Sequence, residues 1–120
     1  MPGPLSRSLP ERLAPSMALV AIPGRVYIGT LAGNIALDAT YPNVCKLDPD
    51  GSARDVTLDA EASSEGIMRT IINGADGAEN LVVKDDSPAT LATLAQNTAG
   101  VFYCDGTSWV LVYKFTIALS

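Results

Sequence analysis

The chain has no histidine. Histidine is the commonest general base and the commonest metal ligand, so Ser–His and Cys–His nucleophile chemistry is excluded within one chain. Two cysteines, Cys45 and Cys104, fall short of the usual four ligands of a structural zinc site. They can pair if their strands are neighbours; otherwise they are small buried hydrophobes. Basic residues are few, 8 Lys and Arg against 13 Asp and Glu, for a net charge of −5. They are scattered, and nucleic-acid affinity rests on clustered Lys and Arg, so nucleic acid is not an expected partner. No apolar run approaches the length of a membrane span, and no membrane partner is expected. Met17–Ile22 is apolar but too short for a signal-peptide core, and Pro23 interrupts it. The expectation is a chain that folds in a cytoplasm. Long helical patterns are missing as well.

What is present is a succession of short strand signals. At 120 residues and 48% hydrophobic content, the chain reads as one domain with a modest core. The clearest signal is Gly100–Tyr113, two apolar runs joined at Asp105-Gly106, a dipeptide suited to a tight hairpin turn. Further strands are expected at 17–22, 25–28, 34–37, 43–47, 55–58, 67–73 and 81–84, and 90–94 reads as a strand in preference to one helical turn. Phe115–Leu119 either extends the hairpin or pairs elsewhere. Turns with Gly, Pro and Asp separate them, notably Asp48-Pro49-Asp50-Gly51. The pattern predicts an all-β fold, a small β-sandwich or barrel, jelly-roll-like. Strict alternation would put Trp109, Leu111, Tyr113 and Phe115 on one face and Val110 and Val112 on the other. Apolar residues on both faces imply a strand covered twice, by the rest of the fold or by another copy.

Residues 1–16 read differently, as an extended N-terminal arm preceding a single β domain at 17–120. Pro2, Pro4, Pro10 and Pro15 punctuate the arm, and Leu5, Leu9 and Leu13 recur every four residues. Burial of three leucines does not offset the backbone entropy of ordering such a segment. The arm is therefore expected to order on a partner surface, with Leu5, Leu9, Leu13 and Met17 as its contacts.

The polar constellations are weak. Asp48, Asp50, Asp55 and Asp59 suggest calcium, but the spacing to Gly51 and the missing distal Glu fail the calcium-loop motif, leaving an ordinary turn. A carboxylate pair for glycoside hydrolysis would have to come from turn positions. Tyr103, Asp105 and Trp109 form a sugar-binding tip if they are exposed, and part of the hairpin core if they are not. Gly29-Thr30-Leu31-Ala32-Gly33 lacks the lysine of a phosphate loop. No catalytic residue, metal site or cofactor is expected.

One resemblance runs through Val44–Val112. In order come Leu47-Asp48-Pro49-Asp50-Gly51, Arg54-Asp55-Val56-Thr57-Leu58, Gly66-Ile67-Met68-Arg69-Thr70-Ile71-Ile72-Asn73 and Asn80-Leu81-Val82-Val83-Lys84. Thr93-Leu94, Phe102-Tyr103-Cys104-Asp105-Gly106-Thr107 and Trp109 follow. This series resembles the β-rich modules of phage capsid decoration (cement) proteins, which also occur in tail-fibre proteins. The resemblance implies a non-catalytic homotrimer on the exterior of the virion, bound to the major capsid protein. Phe102, Trp109, Leu111 and Tyr113 would then support the core or the trimer contact, and the arm would hold the capsid. The competing expectation is a receptor- or glycan-binding module of a fibre or tail.

Overall fold

In the computed structural model, which describes residues 25–118, the alternating runs fold into two stacked sheets. The strands among the described residues are β1 (Val26–Thr30), β2 (Ile35–Ala36), β3 (Val44–Asp48), β4 (Arg54–Thr57) and β5 (Met68–Asn73). β6 (Leu81–Lys84), β7 (Thr90–Leu94), β8 (Thr98–Cys104) and β9 (Trp109–Thr116) complete them. One helical feature occurs among these residues, a single 3-10 turn at Glu61–Ser63. The fold is all-β, as the strand signals predict. The arm at 1–16 and the strand expected at 17–22 lie outside the described residues.

The five-stranded sheet has the order β1-β3-β5-β8-β9 and the four-stranded sheet β2-β4-β6-β7. From β1 to β6 the chain alternates between the two sheets. Each strand therefore lies parallel to the one two places earlier, with β1, β3 and β5 in one layer and β2, β4 and β6 in the other. Parallel neighbours need a long crossover, and here the strand in the opposite sheet is part of it. Two antiparallel hairpins, β6–β7 and β8–β9, finish the layers. The short strand signals show where the strands lie but carry no trace of this parallel winding.

The core sits between the layers. Leu47, Ile71 and Phe102 from one sheet meet Val56, Leu81, Val83 and Leu94 from the other, all at 1% exposure or less. Gly100 faces this core because the space is full. A Cβ there would come within 3.0 Å of the Phe102 ring and 3.2 Å of Leu94. Asn73 is fully buried and ties the layers at one end. Its Nδ2 donates to the Glu79 and Leu94 carbonyls at 2.9 and 2.8 Å, and its Oδ1 accepts from the Ala75 amide at 2.9 Å. Cys45 on β3 and Cys104 on β8 are separated by β5 and are both free and buried. Burial pushes the Cys45 thiol above its ordinary value.

The hairpin turn is locked by its aspartate. The Thr107 and Ser108 amides donate to Asp105 Oδ1 at 2.8 and 2.7 Å, and Gly106 takes φ +95°. These two hydrogen bonds hold the Asp105 carboxyl below its ordinary value of 3.8. A carboxyl lowered by folding contributes stability above its unfolded value and loses it as the pH falls through the lower folded value. Asp105→Asn is therefore expected to be less stable than the wild type at neutral pH. The gap should close as the pH drops below 3.8 in urea titrations; a gap that persists at low pH contradicts this role.

Candidate functional site

Two polar positions interrupt the inward face of β5. Inward residues alternate as Arg69, Ile71 and Asn73, and all three are buried. Arg69 is 2% exposed. Its Nε and Nη2 donate to the two Asp59 carboxylate oxygens at 2.9 Å each, a bidentate pair. Nη2 also donates to the Asp38 carbonyl at 2.7 Å, and Nη1 to the carbonyls of Tyr41 and Pro42. A guanidinium has five N–H donors, and every one is used. The Trp109 indole completes the arrangement by donating from Nε1 to the Asp59 carbonyl at 2.8 Å. One cation thus fastens the links at 38–43 and 59–64 to the end of β5.

A cleft of about 360 Å³ opens above this pair, between Leu37, Tyr41, Ser63 and Ile67. Arg69 has no free donor, and the Ser63 and Ser64 hydroxyls donate to the Ala60 carbonyl. At the opposite end of β3 and β5, Asp48, Asp76 and Glu79 bring carboxylate oxygens within 4.8 Å of one another. These are the residues that could approach a cation. Asp48 Oδ1 accepts from the Asp50 amide at 2.9 Å, as expected of a simple turn.

The four acids grouped by sequence are dispersed by the fold. Asp48 and Asp50 share that turn, Asp55 pairs with Lys84 at 3.0 Å, and Asp59 is buried against Arg69. Asp55 lies in β4, where a strand is expected at 55–58, and Asp59 is buried in the interior rather than placed in an open turn.

The feature that stands out is the outer face of the five-stranded sheet. Strand registers align its outward side chains in three rows: Met68–Tyr103–Val110, Val26–Val44–Thr70–Val101–Tyr113, and Ile28–Lys46–Ile72–Ala99–Phe115. Every exposed large hydrophobic residue among the described residues except Ile67 lies on this face. Exposure reaches 67% at Ile28 and 55% at Tyr113. The other sheet behaves differently. Its outward positions include Asp55, Thr57, Lys84 and Thr93, with the Lys84–Asp55 ion pair across strands. One outer face therefore suits water and the other does not.

A β-bulge makes the apolar face larger than alternation predicts. The β8–β9 register shifts between Val101 and Phe102, so that Phe102 pairs with Leu111, Val101 pairs with Tyr113, and Val112 is the extra residue. Trp109 and Leu111 therefore point inward, whereas Tyr113 and Phe115 point outward beside Val110 and Val112. The single face expected for Trp109, Leu111, Tyr113 and Phe115 is split by this bulge. Tyr113 and Phe115 rings lie 5.4 Å apart on the outside.

The structure thus separates the sequence-predicted contact residues. Phe102 and Trp109 are core residues at 0% and 3% exposure, Leu111 packs half-buried against them, and Tyr113 belongs to the outer face. Tyr103 is 39% exposed on that face while Trp109 is buried on the opposite one, so the two form no tip together. Leu5, Leu9, Leu13 and Met17 lie outside the described residues. Two features went unread in the sequence: the Arg69–Asp59 pair and the outward Val26 and Ile28. The period-two placement of Arg69 and Asn73 around Ile71 was the available signal for the first. Comparisons with protein-family models, curated proteins and solved structures found no match.

Arg69→Met would leave the Asp59 carboxylate buried without a counter-ion and release three backbone carbonyls. The expected loss is about 3–5 kcal/mol of folding stability, read by urea unfolding with Trp109 fluorescence as reporter. Combining it with Asp59→Asn should recover part of that loss in a double-mutant cycle. A loss under about 1 kcal/mol would mean that the pair behaves as a surface ion pair.

Proposed function

We propose that this protein is a non-enzymatic structural component of a phage virion that binds the outside of the assembled capsid and reinforces it. The observation that carries the reading is the broad apolar face of the five-stranded sheet. Five strands spaced about 4.8 Å apart give a face about 20 Å across, and soluble monomers rarely leave a continuous apolar patch of that extent open. Its β8–β9 half is rich in Tyr, Val and Phe, and aromatic residues are enriched where proteins meet. In this reading Tyr103, Val110, Tyr113 and Phe115 form the contact between copies of a homotrimer. Phe102, Trp109 and Leu111 set the strand positions behind them.

The arm supplies attachment to the major capsid protein through Leu5, Leu9, Leu13 and Met17. A trimer presents three arms at once, and linked weak contacts raise the total affinity by orders of magnitude. A binder that prefers the assembled shell to free subunits stabilises the shell by mass action. The reading needs no cofactor, metal or catalytic group. A net charge of −5 and scattered basic residues agree with a protein partner rather than nucleic acid. The glycan-binding alternative depended on an exposed Trp109, and that ring is buried with its indole N–H engaged.

The test is co-sedimentation with a panel of undecorated tailed-phage capsids. Full-length protein is expected to pellet with at least one capsid type. A variant carrying Leu5→Ser, Leu9→Ser and Leu13→Ser should stay in the supernatant while keeping its β-sheet circular dichroism. Folded wild-type protein that pellets with none of them would remove the capsid reading.

A further inference from the structure

The links that Arg69 fastens, at 38–43 and 59–64, enclose the cleft of about 360 Å³. Its walls are apolar where Leu37, Ala60 and Ile67 meet the Tyr41 ring, which the Tyr27 ring holds edge-on at 5.0 Å. Ile67 is the exposed large hydrophobic residue that the outer sheet face does not account for. Sites for organic ligands run from about 300 to 1,000 Å³. This cleft lies at the lower end and has room for a group the size of one side chain.

The charged lining residues are Asp38, Asp59 and Arg69. Arg69 and Asp59 cancel each other, and Arg69 has no donor left for an anion. Asp38 is exposed, and its Oδ1 accepts from the Thr40 amide at 2.9 Å and from the Thr40 hydroxyl. Its Oδ2 has no partner among the described residues. The Thr40 hydroxyl and amide hold the Asp38 carboxyl below its ordinary value, so it is charged at neutral pH. The Ser63 and Ser64 protons go to the Ala60 carbonyl, which leaves both hydroxyl oxygens as acceptors. Glu61 and Glu65 follow on the neighbouring link, and Glu65 lies against Gly106 in the Asp105 turn. Arg25, just before β1, is not a lining residue.

An apolar cleft with an acidic mouth takes a cation on an apolar stem. A guanidinium matches two carboxylate oxygens at once, and Asp38 has one open. An ammonium is a compact charge with three rotatable donors, which suits one carboxylate oxygen and a hydroxyl. Lysine also lays its methylene stem on apolar surface while its head stays wet. We propose that this cleft receives a lysine side chain of a partner protein, its stem against Leu37, Tyr41 and Ile67 and its ammonium on Asp38. A free amine fits less well, because small ligands are held by near-complete enclosure and this mouth is open. A lysine carried on a partner surface also draws on the acids around the cleft. The inference goes beyond the attachment reading and does not depend on any capsid.

The test is a titration of the full isotope-labelled chain followed by nuclear magnetic resonance, with Nα-acetyl-lysine methylamide as the probe. The expected result is saturable shifts of the Asp38, Tyr41, Ser63 and Ile67 amides. The uncharged norleucine analogue should bind about two- to fivefold more weakly, the weight of one exposed ion pair. The arginine analogue and n-butylamine should also bind more weakly than the lysine probe. Asp38→Asn should lower the affinity for the lysine probe to that for norleucine. The absence of saturable shifts at the cleft overturns the proposal, as does a norleucine or arginine probe that binds as tightly as lysine. Butylamine binding as tightly as the lysine probe overturns the assignment to a partner's side chain. None of these outcomes bears on capsid co-sedimentation, so the two readings fail separately.

Discussion

A strand sends alternate side chains to opposite faces, and a two-layer sandwich buries one face of each sheet. This constraint governs the whole molecule. In the four-stranded sheet the outward positions are polar enough to meet water, and the layer is complete as it stands. In the five-stranded sheet both sets are largely apolar, apart from residues such as Lys46 and Thr70 outside and Arg69 and Asn73 inside. Leu47, Ile71 and Phe102 fill the interior while Val26, Ile28, Met68, Tyr113 and Phe115 face out. The second set has no partner within the sandwich, and the functional reading follows from that asymmetry.

The polar interior serves the same end. Arg69 and Asn73 stand two places either side of Ile71 on one strand, and each ties loops to an end of the sandwich. Burying a guanidinium is tolerable because its five donors all find acceptors and its charge meets Asp59. The result is a sheet whose links are held from inside. Its outer surface is set separately, by the side chains that the strand registers and the β8–β9 bulge turn outward. The bulge at Val112 is the clearest instance, since it turns Tyr113 and Phe115 outward without disturbing Trp109 and Leu111.

Much of the strand layout was legible because it rests on local chemistry. Asp105-Gly106 marks its hairpin, and Leu81–Lys84 and Thr90–Leu94 match their expected limits. Parallel pairing was not legible, since it joins strands 18 residues or more apart through a crossover that leaves no local signature, as with Val26 and Val44. The bulge was hidden because an extra residue does not alter composition. Arg69 was legible in part, for its parity with Ile71 places it inside, but Asp59 as its partner depends on how the 59–64 link folds back. The outer face was glimpsed on β9 alone. Its extent emerges once the registers set β1, β3, β5 and β8 beside it.

The central claim is that the apolar outer face is an interface and not a solvent surface. Sedimentation velocity over a concentration series addresses it directly, comparing wild type with Tyr113→Lys. The account predicts a species larger than the 12.5 kDa chain for the wild type, shifted toward the single chain by the lysine. A wild type that sediments as a single chain at every concentration, indistinguishable from Tyr113→Lys, would contradict it.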